Sequence, residues 1–315
     1  VLSMTLVQLE YIVALDRYRH FSTASEKCFV TQPTLSMQIQ KLEDELGLKI
    51  FDRTKQPVIP TEVGERVLAQ ARKVLHEASL IQQIISNEKD KLTGEIKIGI
   101  IPTLAPYLLP PLFKKMRERY PDLNLIIKES ITEEIIQDLK NNRLDCGLVV
   151  TPLKDSSIKE DVLFYEELFL YVSKKNALYD KKYVLADEID PDQLWLLEEG
   201  HCFRSQILNL CELRKRSDFQ FKYETGNIET LKRMVDRSDG ITILPELAVM
   251  EFNKSQLKLV KRLKEPSPAR EVSLVTHRDH IKTKLIQTLK AEIMSIIPKT
   301  MQKLQGKKVV DIHVK

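Results

Sequence analysis

Three features of the 315-residue chain predict its architecture. Three short amphipathic helical patterns follow one another between residues 6 and 48 with almost no loop. A long pattern then runs from Gly64 to Gly94 without another Pro or Gly, and beyond Gly94 short β-rich runs alternate with helical ones. The expected fold class is an N-terminal all-α helix-turn-helix unit (4–61), a long linker helix (62–93) and a C-terminal α/β region (94–315) of two doubly wound sublobes. Val1, Leu2 and Ser3 precede Met4, where a native chain would ordinarily start, and are left out of the fold reading.

In the first unit Leu9, Ile12, Val13 and Leu15 place apolar groups on one helical face, 21–29 forms a second helix, and 33–46 a third. Ser22 is expected to cap the second, where Ala24 permits close helix contact. Pro33 suits the first turn of the third, with Thr31 or Gln32 just outside it. One helix, a turn of about four residues and a second helix whose first turns reach base edges is the helix-turn-helix pattern. No Asp or Glu occurs between Lys27 and Leu42, and the expected exposed groups are Thr31, Gln32, Thr34, Ser36, Gln38 and Gln40. Hydroxyls and amides of this kind read base edges, and Lys41, Lys49, Arg53 and Lys55 could hold phosphates. Residues 1–60 nevertheless contain seven basic and seven acidic side chains, so composition alone fits a small helical domain with a polar face equally well.

Thr61, followed by Glu62 and Glu65, is an expected helix start. Apolar residues then fall at Val67, Ala71, Val74, Ala78, Ile81 and Ile85, alternating steps of four and three. That is a heptad seam, fitting either a surface helix packed on its own domain or, with charged and amide-rich opposite faces, a helix paired with a second chain. Further on, strands are expected at 95–101, 123–129, 146–151, 163–173, 194–197, 219–225, 241–244 and 272–277, with helices at 108–120, 132–142, 203–214 and 281–297. About 220 residues exceed one sheet, hence two sublobes with a cleft; such sheets bind ligands at the carboxyl ends of their strands, where the turn Ile101-Pro102-Thr103 should lie.

The composition, 43% hydrophobic with 30% charged residues and four cysteines, excludes disordered and disulfide-stapled classes. No run approaches the roughly 18 apolar residues of a membrane span, and no signal-peptide order opens the chain, so a soluble, cytoplasmic protein without a membrane partner is expected. The net charge of +4 is uneven: residues 254–315 carry 15 Lys/Arg against 5 Asp/Glu, leaving the rest net acidic. The basic balance is thus a property of a Lys-rich C-terminal end and reads most simply as a solvated surface.

Cys28 and Cys146 fall on apolar stretches and are expected in the core. Cys202 follows Gly200 and His201, precedes Phe203 and Arg204, and stands at a strand-to-helix junction. A helix N-terminus with neighbouring cations should lower its thiol pKa and favour the reactive thiolate. If Cys202 and Cys211 share a regular helix, nine residues at about 1.5 Å separate them by roughly 13 Å, whereas a disulfide needs Cα atoms within about 7 Å. A bond between them would require the helix to unwind; two unrelated cysteines fit the residues as well. Three local ligands without a CxxC make a metal site the weaker reading, and no cofactor is expected.

Residues 6–61, with LEYIVAL, RHF, TQPTLSMQIQKLEDELG and FDRT, resemble the winged helix-turn-helix of LysR-type transcriptional regulators. IGIIPTLAPYLLP, RLDC, EEGHCFRSQ with a second cysteine at the ninth position, ETLKRMV and SDGITILPELAV resemble the peroxide-sensing members of that family, the likeness running from Met4 to about His277. The resemblance implies a periplasmic-binding-protein-like regulatory domain with Cys202 as peroxidatic and Cys211 as resolving cysteine, Thr103, Thr132, His201 and Arg204 lining a peroxide pocket, and Thr31, Gln32, Thr34, Ser36, Gln38, Lys41 and Arg53 at the DNA. It further implies a transcription activator rather than an enzyme: a homo-oligomer, dimeric through the linker helix and tetrameric overall, whose partners are promoter DNA, hydrogen peroxide, RNA polymerase and a thiol-disulfide reductant. Sensing of a small organic metabolite in the interlobe cleft, or thiol peroxidase activity, are the competing expectations. No signature covers the tail from Lys299.

Overall fold

The structure, a computed structural model, describes residues 4–87, 92–197, 202–211, 227–278 and 283–312. It divides into two compact units, one of residues 1–91 together with 141–143 and one of residues 92–140 and 144–315.

The first unit begins with α1 (Leu6–Tyr18), capped by Thr5 and Gln8 in a reciprocal box. Helix α2 (Phe21–Lys27) follows, and α3 (Gln32–Leu46) starts at Thr31, whose hydroxyl accepts from Thr34 N. Ser22 does not cap α2: His20 occupies the cap position, and Ser22 lies inside the first turn, where its carbonyl accepts from Ser25 Oγ. Helix α3 ends at Gly47, whose φ of +66° is the left-handed conformation that glycine adopts without strain. A two-stranded antiparallel wing, β1 (Phe51–Asp52) and β2 (Ile59–Pro60), leads into α4 (Glu62–Asn87). Thr61 Oγ1 accepts from Gly64 N at 2.9 Å, and a Cβ at Gly64 would collide with the Ile50 carbonyl, so the wing and α4 meet only because that residue is glycine. Leu9, Ile12, Leu15, Ala24, Leu35, Ile39, Leu42, Ile50 and Phe51 form the core, closed by Leu68 and Ala71 of α4. The heptad seam is therefore divided: Ala71 is buried in its own unit, whereas Ile81 is 65% exposed. The side chain of Ile85 lies outside the described residues.

The second unit opens with β3 (Gly94–Ile100), α5 (Ala105–Arg119), β4 (Leu123–Glu129), α6 (Thr132–Lys140) and β5 (Cys146–Thr151), the strands parallel in the order β4-β3-β5. Helix α5 begins three residues before its expected start and contains Pro110 and Pro111, with packing of Tyr107, Leu108, Leu112 and Met116 offsetting their helix-breaking tendency. Strand β6 (Ile158–Val172) is longer than its apolar run suggested, because its polar first half pairs antiparallel with β10 (Ser267–His277), itself paired with β5. The second half of β6 pairs with β8 (Ile241–Pro245) and β9 (Val260–Leu263), and β9 with β7 (Tyr183–Val184). One strand thus runs through both sublobes. The expected strand at 194–197 is a single bridge, Leu194 to Ile241, and the one at 219–225 lies outside the described residues. Helices α7 (Cys202–Leu210), α8 (Ile228–Arg237), α9 (Glu246–Met250), α10 (Lys254–Leu257) and α11 (Thr283–Ile296) cover the sheets, and β11 (Lys307–Val309) adds to β10. Among the described residues no helix is long and apolar enough to cross a membrane.

Candidate functional site

In the first unit the outward positions of α3 follow from its periodicity. Leu35, Ile39 and Leu42 point inward, which leaves Thr31, Gln32, Gln40 and Lys41 exposed and Thr34, Ser36 and Gln38 half-buried. A groove of about 640 Å³ lies beside them, bordered by Ser36, Gln40 and Lys41. Gln38 Oε1 accepts from Gln8 Nε2 of α1 at 3.4 Å. Arg53 in the wing is held over the Phe21 ring at 5.3 Å, donating to Ser36 Oγ at 3.5 Å and pairing with Glu43 Oε2 at 3.0 Å. Sequence reasoning missed Glu43. Its carboxylate is buried, accepts Ile50 N at 2.8 Å and Phe51 N at 3.2 Å, and ties α3 to the wing. An acid in an amphipathic helix reads as solvated; only a hydrophobic-face position in the period marks it.

In the second unit two strand ends bring the polar groups together. The turn after β3 carries Thr103, and the residue after β4, Ser130, bonds back to Ile100 O at 3.1 Å, so Thr132 opens α6 beside the end of β3. Thr103 and Thr132 are both buried. Cys202, the first residue of α7, places Sγ 3.2 Å from Thr132 Oγ1, the thiol donating. Once the thiol ionises that hydroxyl can turn and donate to the sulfur.

Arg270 of β10, also absent from the sequence reading, organises the rest. It is fully buried, lies over the Phe203 ring at 5.2 Å, donates Nη1 to Thr103 Oγ1 at 2.8 Å and Nε to Glu166 Oε2 at 2.7 Å. Glu166, equally buried on β6, accepts Leu247 N at 2.8 Å as well. Arg204, one turn into the sequence motif, directs Nη1 to Leu197 O at 2.8 Å. His201 lies outside the described residues.

The expected low pKa of Cys202 is corrected by this geometry. Burial pushes its thiol up from the usual value; the Thr132 hydrogen bond and the Arg270 charge oppose the rise, and Glu133 adds to it. Helix position and neighbouring cations led to the opposite expectation because a sequence does not show burial: desolvation of the sulfur outweighs the lowering contributions, among them the charge of Arg270, which comes from a strand 68 residues away in number and is already paired with Glu166. Cys211 continues the helical bonding of α7 through Ile207 O at 3.0 Å, is 8% exposed, and burial alone pushes its thiol up to about 12. Both are free thiols. Cys146 is fully buried; Cys28 is half-buried just past the end of α2, its thiol raised by burial and by Glu10. Among the described residues no group of three or more His, Cys, Asp or Glu could hold a metal ion.

Residues 6–65 match the family of bacterial regulatory helix-turn-helix proteins, lysR family, and residues 89–295 match the LysR substrate binding domain. The hydrogen peroxide-inducible genes activator of Haemophilus influenzae is 38% identical over 277 residues, covering 86% of this chain and 90% of that protein. The DNA-binding transcriptional dual regulator OxyR of Escherichia coli is 34% identical over 272 residues, 86% of this chain and 89% of its own. A variant of full-length OxyR from Pseudomonas aeruginosa superposes with a TM-score of 0.79 at 33% identity, covering 92% of this chain and 98% of that one.

Proposed function

The chain belongs to the lysR family of bacterial helix-turn-helix regulatory proteins, and on that premise we propose that it is a hydrogen-peroxide-sensing transcription activator. The observation that carries this reading is Cys202 against the Thr132 hydroxyl, under the charge of Arg270, with Cys211 at the other end of the same helix. Relatives named as peroxide-inducible activators support it.

The chemistry runs in two steps. The Cys202 thiolate attacks one peroxide oxygen, the O–O bond breaks, and the departing hydroxide takes a proton to become water, leaving a sulfenic acid. Thr103 and Thr132 hold the peroxide through their hydroxyls, and His201, Arg204 and the additional cation Arg270 offset the charge on sulfur and on the departing oxygen. Cys211 then loses its proton, its sulfur attacks Cys202 Sγ, the S–O bond breaks and water leaves. Cys202 and Cys211 are nine helical residues apart, about 13 Å at the usual rise, so the second step requires α7 to open. Opening also uncovers Cys211, whose buried thiol is otherwise almost wholly protonated. A thiol reductant resets the switch.

Residues 4–61 form the DNA-binding domain in this proposal, with Thr31, Gln32, Thr34, Ser36 and Gln38 toward the bases and Lys41 and Arg53 toward phosphates. Residues 62–93 form the dimer linker, built on α4, along which Ile81 is an exposed apolar seam residue, and 94–315 the sensor. Two dimers make a tetramer on promoter DNA that recruits RNA polymerase, and the protein works in the cytoplasm.

Peroxide near stoichiometry, disulfide mapping by mass spectrometry and promoter footprinting before and after oxidation test the proposal. One Cys202 to Cys211 bond per chain and a changed footprint are expected. An unchanged footprint, or a response that survives Cys202→Ser, overturns it in favour of metabolite sensing, and rapid multiple turnover of peroxide would indicate a peroxidase instead.

A further inference from the structure

The Lys-rich C-terminal end runs back onto the sensing helix. Beyond α11 the chain passes buried Met301 and enters β11, whose Lys307, Lys308 and Val309 pair in parallel with Ser267, Pro268 and Ala269 of β10. Val310 N extends this ladder to Ala269 O at 2.9 Å, one residue before Arg270, and Ile312 enters the core at 7% exposure. Between these anchors two peptide carbonyls meet α7. Gln206 Nε2 donates to Val310 O at 2.9 Å and Asn209 Nδ2 to Asp311 O at 2.7 Å. Residues three apart on a helix share a face, so both bonds form only while α7 is helical. Gln206 is fully buried and its Oε1 has no hydrogen-bond partner, so loss of the Val310 contact would leave its whole amide unsatisfied.

We propose that residues 307–312 are a strap holding α7 in its helical, reduced form, and that Gln206 and Asn209 are positioning residues that set how readily the helix opens for disulfide closure. The inference rests on the redox reading above and assigns a role in the second step only. Peroxide meets Cys202 at the first residue of α7, where the strap makes neither of its two side-chain bonds, and attack by Cys211 comes after the helix has let go. The strap therefore governs the lifetime of the sulfenic acid and the midpoint of the thiol-disulfide couple, leaving the rate of the first oxidation alone.

Stopped-flow oxidation of the full-length chain, with sulfenic acid trapping and redox titration, compares Asn209→Ala and a chain ending at Val309 with the wild type. One net hydrogen bond shifts an opening equilibrium about twofold to tenfold. Closure in Asn209→Ala should be faster by that factor, and faster still in the shortened chain, with an unchanged bimolecular rate for peroxide. A tenfold change corresponds to a midpoint about 30 mV more negative. Unchanged closure and midpoint in Asn209→Ala overturn the strap, and that intact-length variant decides if the shortened chain fails to fold. Hydrogen exchange of the reduced proteins separates this result from failure of the redox reading. Faster exchange confined to α7 in Asn209→Ala supports the strap even where no Cys202 to Cys211 bond forms; exchange that is unchanged, or raised equally in β3 and β5, overturns it.

Discussion

The caps and the charged anchor of helix α3 come from its own neighbourhood. Thr31 caps its start, Gly47 ends it in the left-handed conformation, and Glu43 bonds Lys49, Ile50, Phe51 and Arg53. Helix α7 is held from a distance: Gln206 and Asn209 bond carbonyls 104 and 102 residues further along the chain, and Phe203 lies under Arg270. The contrast matches the tasks proposed for the two helices. A helix that reads base edges gains from local bonds that no distant event disturbs, whereas a helix that must unwind gains from holds that a rearrangement elsewhere can release.

The largest expected effect separates the two kinds of support. Arg270→Met strands the buried Glu166 carboxylate, and breaking a buried pair in this way costs about 3–5 kcal/mol. Hydrogen exchange should show protection lost in β6, β10 and α7 but retained in α3; equal loss in α3 would break the contrast. A smaller effect concerns the C-terminal end of α7. With the folded Cys211 thiol pushed up to about 12 and its usual value near 9, both states keep the proton below pH 9. Above that the unfolded chain ionises first, so stability falls as pH rises from 9 toward 12, by about 2 kcal/mol near pH 10.5. Urea unfolding at pH 8 and 10.5 should show a shallower alkaline decline in Cys211→Ala; an identical decline would mean that Cys211 is not sealed by the helix. The smallest effect probes local support. Gly47 has open space around its Cα, so Gly47→Ala should cost only the left-handed strain, about 1 kcal/mol, read as a lower unfolding midpoint of the first unit with α7 exchange unchanged.

The same division explains what could be read from residues alone. Helical periodicity, an N-cap threonine and a terminal glycine are local signals, and α3 has all three; β4 and β5 likewise fall at 123–129 and 146–151, where their apolar runs lie. Ser22 misled because several residues near a helix start can cap in principle, and the backbone path chose His20 as the cap position. The run at 194–197 has strand composition but only one bridging partner, and strand propensity does not supply a neighbour. Arg270 and Glu166 carry no local mark at all: a charged residue inside a β run reads as an edge or a solvated face until the partner, 104 residues away, is placed against it.

By itself the sequence determined the order and type of most elements, the two cysteines nine positions apart, and the hydroxyl and amide face of α3, because these depend on side chains a few positions apart. Only the tertiary structure decided that burial raises the Cys202 thiol, that Arg270 is a cation acting on it, and that the chain just beyond β11 bonds α7. Desolvation and charge act through space across what surrounds a group, and neighbours more than a hundred residues distant in the chain are set only when the sheets close.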